Sequence, residues 1–188
     1  MERVMFDSVR NTRRMRMNAA AEDPVVVGLE SFEAFYAREF RPMVGLAFAL
    51  SGSRLGAEDI AQEAMMVAHK KWDEVALMER PDAWVRRVVS NMAVSAYRRR
   101  LSEARAIARL AGRRSEPIPA LEAPDAEFWK AVRALPGKQA QAIALHYIED
   151  MPVAEIAEVL DCSPSTAKVH LFRGRKNLAA ALGLEDRS

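Results

Sequence analysis

The side chains best placed to do chemistry together stand between Ser163 and Leu184, where Lys168, His170, Arg173, Arg175 and Lys176 occur without a single acid. Ammonium and guanidinium donors at that density suit a polyanion. A second basic run, Trp84 to Arg114, holds nine arginines against one acid, Glu103, whereas Glu30 to Asp82 holds ten acids and six bases. The net charge of +2 therefore conceals two basic surfaces and one acidic one. Groups suited to catalysis are sparse: the histidines, His69, His146 and His170, are scattered, Cys162 is the single cysteine, and neither a glycine-rich phosphate loop nor a metal-ligand cluster occurs. No catalytic residue, no metal and no cofactor are expected.

The elements that must position the first basic run read as a helix-turn-helix. Val153, Ile156, Ala157 and Leu160 mark a short helix, Asp161-Cys162-Ser163 a turn, and a longer helix follows. Ser163 can cap that helix and Pro164 fits its first turn, leaving N-terminal backbone donors free to approach phosphate. Ala167, Leu171, Gly174, Leu178 and Leu182 form one apolar stripe, so Ser165, Val169, Phe172, Arg173 and Lys176 point outward, flanked by Thr166 and Lys168. An outward Phe172 is better explained by contact with a partner, such as thymine methyl groups, than by exposure to water.

Upstream, Phe32, Phe35, Tyr36, Phe40, Met43, Val44, Ala47 and Leu50 recur at helical spacing until Ser51-Gly52-Ser53 interrupts them. A second helix is expected from near Ala57 to about Trp72, with Ile60, Ala64, Val67, Ala68 and Trp72 inward and Asp59, Gln62, Glu63, Met66 and Lys70 outward. A third starts at Pro81, with Trp84, Val85, Val88, Met92 and Ala96 inward and Arg87, Asn91 and Arg98 outward, and runs to about Ala111. Prolines at 117, 119 and 124 end it. Phe128, Trp129, Val132 and Leu135 mark a short helix before Pro136-Gly137, and Ala140, Ile143, Ala144, Tyr147 and Ile148 another. Half the residues are hydrophobic and 7% aromatic, which fits an all-α fold. Four parts are expected: an unstructured N-terminal extension over 1–29, a helical domain over 30–111, a flexible linker over 112–124 and a helix-turn-helix domain over 125–183.

In order and spacing these segments resemble the extracytoplasmic-function (ECF) sigma factors of the sigma-70 family, from about Ser31 to Leu182. Ala57 to Ala64 is similar to the family's polymerase-binding segment in the sigma-2 domain, which docks on the β′ clamp helices; this implies core-polymerase contacts for Asp59, Gln62, Glu63 and Met66. Trp84 to Ala93 is similar to the −10 reading segment, implying promoter contacts for Arg87, Asn91 and Arg98, and an amide such as Asn91 can both donate to and accept from base edges. The stretch from Trp72 to Pro81 corresponds to the loop that captures a flipped base. Ala154 to Lys168 resembles the −35 reader of the sigma-4 domain, so Lys168, Val169, Phe172 and Arg173 are implied to face the major groove, with His170 and Arg175 beside phosphates and Ser165, Thr166 and Lys176 also among the −35 contacts. Ser95 stands where many relatives carry aspartate, and Ala140, Pro164 and His170 also depart from common family residues.

The resemblance implies a cytoplasmic promoter-specificity subunit that binds the β and β′ subunits of RNA polymerase core, reads −35 and −10 elements, assists melting and is held by an anti-sigma factor, with no direct membrane insertion. The single cysteine suits a reducing compartment, and no run approaches the ~20 apolar residues needed to span a bilayer. A stand-alone helix-turn-helix regulator is the competing reading. It leaves the Ala57–Ala64 segment unexplained.

Overall fold

The computed structural model describes residues 29–110 and 125–184. The expected linker, and all but the last residue of the expected N-terminal extension, lie outside the described residues. Eight α-helices and no strand occur among the described residues: α1 Phe32–Ser51, α2 Arg54–Lys70, α3 Trp72–Val75, α4 Pro81–Leu110, α5 Ala126–Ala134, α6 Gly137–Ile148, α7 Val153–Leu160 and α8 Pro164–Ala181. The fold is all-α, as expected.

The first four helices form around one apolar core. Phe35, Met43, Leu46 and Leu50 of α1 meet Ala57, Ala61, Ala64 and Met65 of α2, and Val85, Val89 and Ala93 of α4 close the third side. The buried stripe on α4 is thus centred one residue on from the expected Trp84, Val88 and Met92, which are only partly buried along its edge. In the second group, Val132, Ile143, Leu145, Ile156, Leu160, Ala167, Leu171 and Leu178 come together from α5 to α8.

Ends of helices follow local chemistry. Gly52 ends α1 in the left-handed region at φ 71°, with its N–H donating to Phe48 O at 2.8 Å. The last turn of α1 has no basic residue of its own, so its unpaired carbonyls are met from outside: Arg100 of α4 donates to Ser51 O, and Arg133 of α5 donates to Ala49 O at 3.1 Å. A side chain at position 52 would both strain the backbone and lie 2.9 Å from Arg133 Nε. The next helix starts earlier than its acidic residues suggest, because Ser53 caps it by accepting from Gly56 N at 3.2 Å; it stops at Lys70 rather than Trp72.

The two groups pack against each other, α1 on α5 and α6, and α4 on α6 and α7. Gly45 of α1 faces Ile148 of α6, whose Cγ2 is 4.0 Å from where a Cβ would sit, an ordinary contact distance. No helix among the described residues is long and apolar enough to cross a membrane.

Candidate nucleic-acid interface

The helix-turn-helix is built as its sequence suggests. Asp161 adopts φ 56° at the end of α7, which turns the chain, and the Ser163 hydroxyl accepts from Thr166 N at 3.2 Å to start α8. Ala167, Leu171, Gly174 and Leu178 are buried. Gly174 permits the close contact with α6: a Cβ there would lie 2.9 Å from Ile143 Cγ1. The opposite face carries Ser165, Thr166, Lys168, Val169, Phe172, Arg173 and Lys176, all exposed, with His170 at its margin half-buried. Phe172 is 69% and Val169 44% exposed, so an apolar strip lies open between cationic groups. Such a surface can take both phosphate and base methyl groups. Arg175 has turned away from that strip, donating to His146 Nε2 at 2.7 Å and lying over the Tyr147 ring.

On α4 the three outward residues meet a different environment. Arg87 donates from Nε to Val159 O at 3.0 Å and from Nη2 to Glu158 O at 2.7 Å, and its Nη1 is 3.0 Å from Asp161 Oδ2. The Asn91 carbonyl oxygen accepts from Gln141 Nε2 at 2.7 Å, although the residue keeps an exposed edge. Arg98 is exposed but its Nη2 is 3.2 Å from where a Cβ of Gly137 would be. All three point away from the core of their own group and toward the second one.

The third cluster, Asp59, Gln62, Glu63 and Met66, lies together on the free side of α2, each exposed, Met66 at 59%. Phe32, Tyr36, His69 and Lys70 join Gln62 and Met66 around a shallow groove that single-helix periodicity could not assemble. The segment from Trp72 to Arg80 folds into α3 and a turn, held by Trp72 Nε1 donating to Glu30 O at 3.2 Å.

Sequence reasoning did not anticipate the polar seam between the groups. Arg86 is 7% exposed and lies among three carboxylates, 2.9 Å from Glu39, 3.1 Å from Asp82 and 3.0 Å from Glu149. Arg80 bonds Asp82 at 3.0 Å and reaches across to Glu155 at 2.9 Å and Glu158 at 3.1 Å. Burial pushes the Asp82 carboxyl up, but hydrogen bonding and charge from Arg80, with the charge of Arg86, outweigh it and hold its pKa below the ordinary aspartate value. Gln141, 3% exposed, stands in an otherwise apolar run and donates to Ser90 Oγ at 3.2 Å as well as to Asn91. A polar residue inside the run from Ala140 to Leu145 was the available signal. Among the described residues no group of three or more His, Cys, Asp or Glu is arranged to hold a metal ion.

An open cationic reading helix on a helix-turn-helix, joined to a second helical group with its own arginine-lined face, defines a two-part helical DNA-binding protein. The family model for Sigma-70 region 2 matches residues 35–103, and that for Sigma-70, region 4 matches residues 125–178. The chain is 26% identical to the ECF RNA polymerase sigma factor SigW of Bacillus subtilis (strain 168), over 73% of this chain and 81% of that one. It is 25% identical to the ECF RNA polymerase sigma factor EcfG of Rhodopseudomonas palustris (strain TIE-1), over 92% of each. Among solved structures, the sigma factor RpoE from Bartonella quintana, in complex with the anti-sigma factor NepR, superposes with a TM-score of 0.61 at 25% identity, covering 83% of this chain and 98% of that one. CnrH, in complex with the cytosolic domain of CnrY, shares the fold at a TM-score of 0.57 and 21% identity, over 82% of this chain and 89% of that one. The chain belongs to the sigma-70 family, as an ECF sigma factor with sigma-2 and sigma-4 domains, and is a promoter-specificity subunit of bacterial RNA polymerase. The family is one of transcription initiation factors.

Proposed function

We propose that promoter reading is divided between α8, which takes the −35 element, and the outward face of α4, which takes the −10 element, while the free face of α2 holds the polymerase. The boundaries that accompany this division are a sigma-2 unit over 30–111, a linker over 112–124 and a sigma-4 unit over 125–183, preceded by an extension over 1–29 that takes no part in reading. The observation that carries the proposal is the exposed strip of α8, where Phe172 and Val169 lie between Lys168, Arg173 and Lys176 on a helix capped by Ser163. An apolar strip flanked by cations costs solvation unless a partner covers it, and duplex DNA offers both phosphate and methyl groups.

Asp59, Gln62, Glu63 and Met66 engage the clamp helices of β′; Arg87, Asn91 and Arg98 engage the non-duplex −10 strand. The chain works in the cytoplasm and contributes binding energy and strand separation, with the bond-forming chemistry left to the polymerase core. An anti-sigma factor is the expected negative partner, since one of the solved relatives, the sigma factor RpoE, is in complex with the anti-sigma factor NepR. The test adds purified chain to bacterial core polymerase and maps transcription starts genome-wide. A shared pair of upstream elements is expected; starts without one remove the assignment.

A further inference from the structure

The chain turns back on itself at the end of α6. Asp150 takes φ 52°, and Met151 N donates to Leu145 O at 3.2 Å. That turn brings the Met151 carbonyl oxygen to 3.2 Å from His146 Nδ1, while Arg175 Nη2 of α8 lies 2.7 Å from His146 Nε2. A carbonyl only accepts and a guanidinium only donates, so the two contacts together settle the ring: Nδ1 carries the proton and donates to Met151 O, and Nε2 accepts from Arg175. The imidazole is neutral in this arrangement, and its lone pair holds a cation.

One proton decides whether that arrangement lasts. Arg175 is the charged group bonded to the ring. Glu39 of α1 and Glu149 of the turn are engaged with Arg86 of α4, and Glu155 and Glu158 of α7 with Arg80. α5 comes in through Phe128, whose ring meets that of Tyr147 edge-on at 5.8 Å. A proton on Nε2 would therefore set imidazolium against guanidinium with no carboxylate between them. Imidazole is the side chain whose ordinary change of charge falls between pH 5 and 8.

Two facing cations suit an oxyanion that both can donate to. These two stand at the margin of α8, where Arg175 is exposed one turn beyond Phe172.

We propose that His146 and Arg175 form a proton-coupled contact to one DNA phosphate. Uptake of a proton by His146 breaks its bond to Arg175, and the imidazolium Nε2–H and the guanidinium then donate to the same phosphate beside the −35 groove. Protonation of His146 and DNA binding favour each other, so −35 affinity rises as pH falls. The contact carries no base information. This rests on the reading of α8 as the −35 helix.

The test compares holoenzymes carrying the parent chain, His146→Gln and His146→Arg, all in a His170→Gln background. Binding to a library of −35 variants is measured from about pH 8 to about pH 6 at several salt concentrations. Glutamine can accept from Arg175 but takes up no proton, whereas arginine is charged throughout. Between the two ends of the range the parent should gain about fivefold over the glutamine variant, equally for every sequence, and its salt dependence should steepen by about one counterion. The arginine variant should lead the glutamine variant by the same factor at both ends. A parent-to-glutamine ratio that does not move with pH overturns the inference, and so does a gain confined to particular sequences. Nitrogen-15 NMR of the free full-length chain at about pH 8 adds a readout that needs no DNA. The His146 ring should carry its proton on Nδ1, and a proton on Nε2 instead overturns the inference. Arg173→Ala on the same library separates the failures when the pH effect is missing: an altered ranking of variants keeps α8 as the reader, and an unaltered ranking removes that reading as well.

Discussion

α4 and α8 are both cationic helices that turn one face away from their own bundle, yet α8 shows that face to solvent while α4 lays it against α6 and α7. On α8 the outward groups include exposed Phe172 and Val169, whereas on α4 Arg87 and Asn91 bond to the second half of the chain, with Asn91 and Arg98 keeping exposed edges. The difference shows what periodicity can report. An outward position is one that its own bundle does not bury, and whether water, another domain or a partner covers it depends on contacts distant in sequence.

The strongest way to break the comparison is at Arg86, which holds the covered side together. Arg86→Leu leaves the Glu149 carboxylate buried without its cation and Glu39 with Arg38 alone, and should cost about 3–5 kcal/mol, read from the midpoint of urea unfolding. A loss within experimental error of zero would mean that the carboxylates find water instead. The open side is sharpened by two arginines. Arg173→Ala should cost about 1–3 kcal/mol at the preferred −35 sequence and change the ranking of sequence variants, as a base contact requires. Arg175→Ala should weaken all sequences alike, because a guanidinium turned toward His146 and Tyr147 stands off the strip around Phe172 where bases would be read. Holoenzyme binding to a library of −35 variants at several salt concentrations checks both. Removing the cap of α8 by Ser163→Ala should cost about 1 kcal/mol of thermal stability and weaken −35 binding without altering its sequence preference.

The smallest effect concerns pH. Asp82 has a folded-state pKa below its unfolded value, so the stability it contributes is fully present above the ordinary aspartate value of 3.8 and is lost as pH falls below it through the folded pKa. Asp82→Asn should therefore flatten the acid limb of the stability curve, measured by denaturant unfolding between pH 5 and pH 2.

Much of the scaffold was legible in the sequence because local chemistry determines it. Ser163-Pro164 fixed the start of α8, Pro81 that of α4, and the stripe from Ala167 to Leu178 faces the core as its spacing requires. The start of α2 was less legible: Glu58 and Asp59 suggested Ala57, but the Ser53 hydroxyl caps the helix earlier. The seam was least legible of all. Val159 is fully buried on a helix that packs against α4 as well as its own group, and Gln141 and Arg86 have polar partners 50 to 63 residues away along the chain. Hydrophobic spacing carries no signal for a polar contact of that range.

The contrast between the two faces is tested most directly by arginine-specific chemical modification of the free full-length chain, with site-by-site rates read by mass spectrometry. Arg173, which is exposed, should react quickly and Arg87, whose guanidinium is held by Val159 O, Glu158 O and Asp161, slowly. Equal rates at Arg87 and Arg173 in the free chain would contradict the account, because both faces would then be open to solvent.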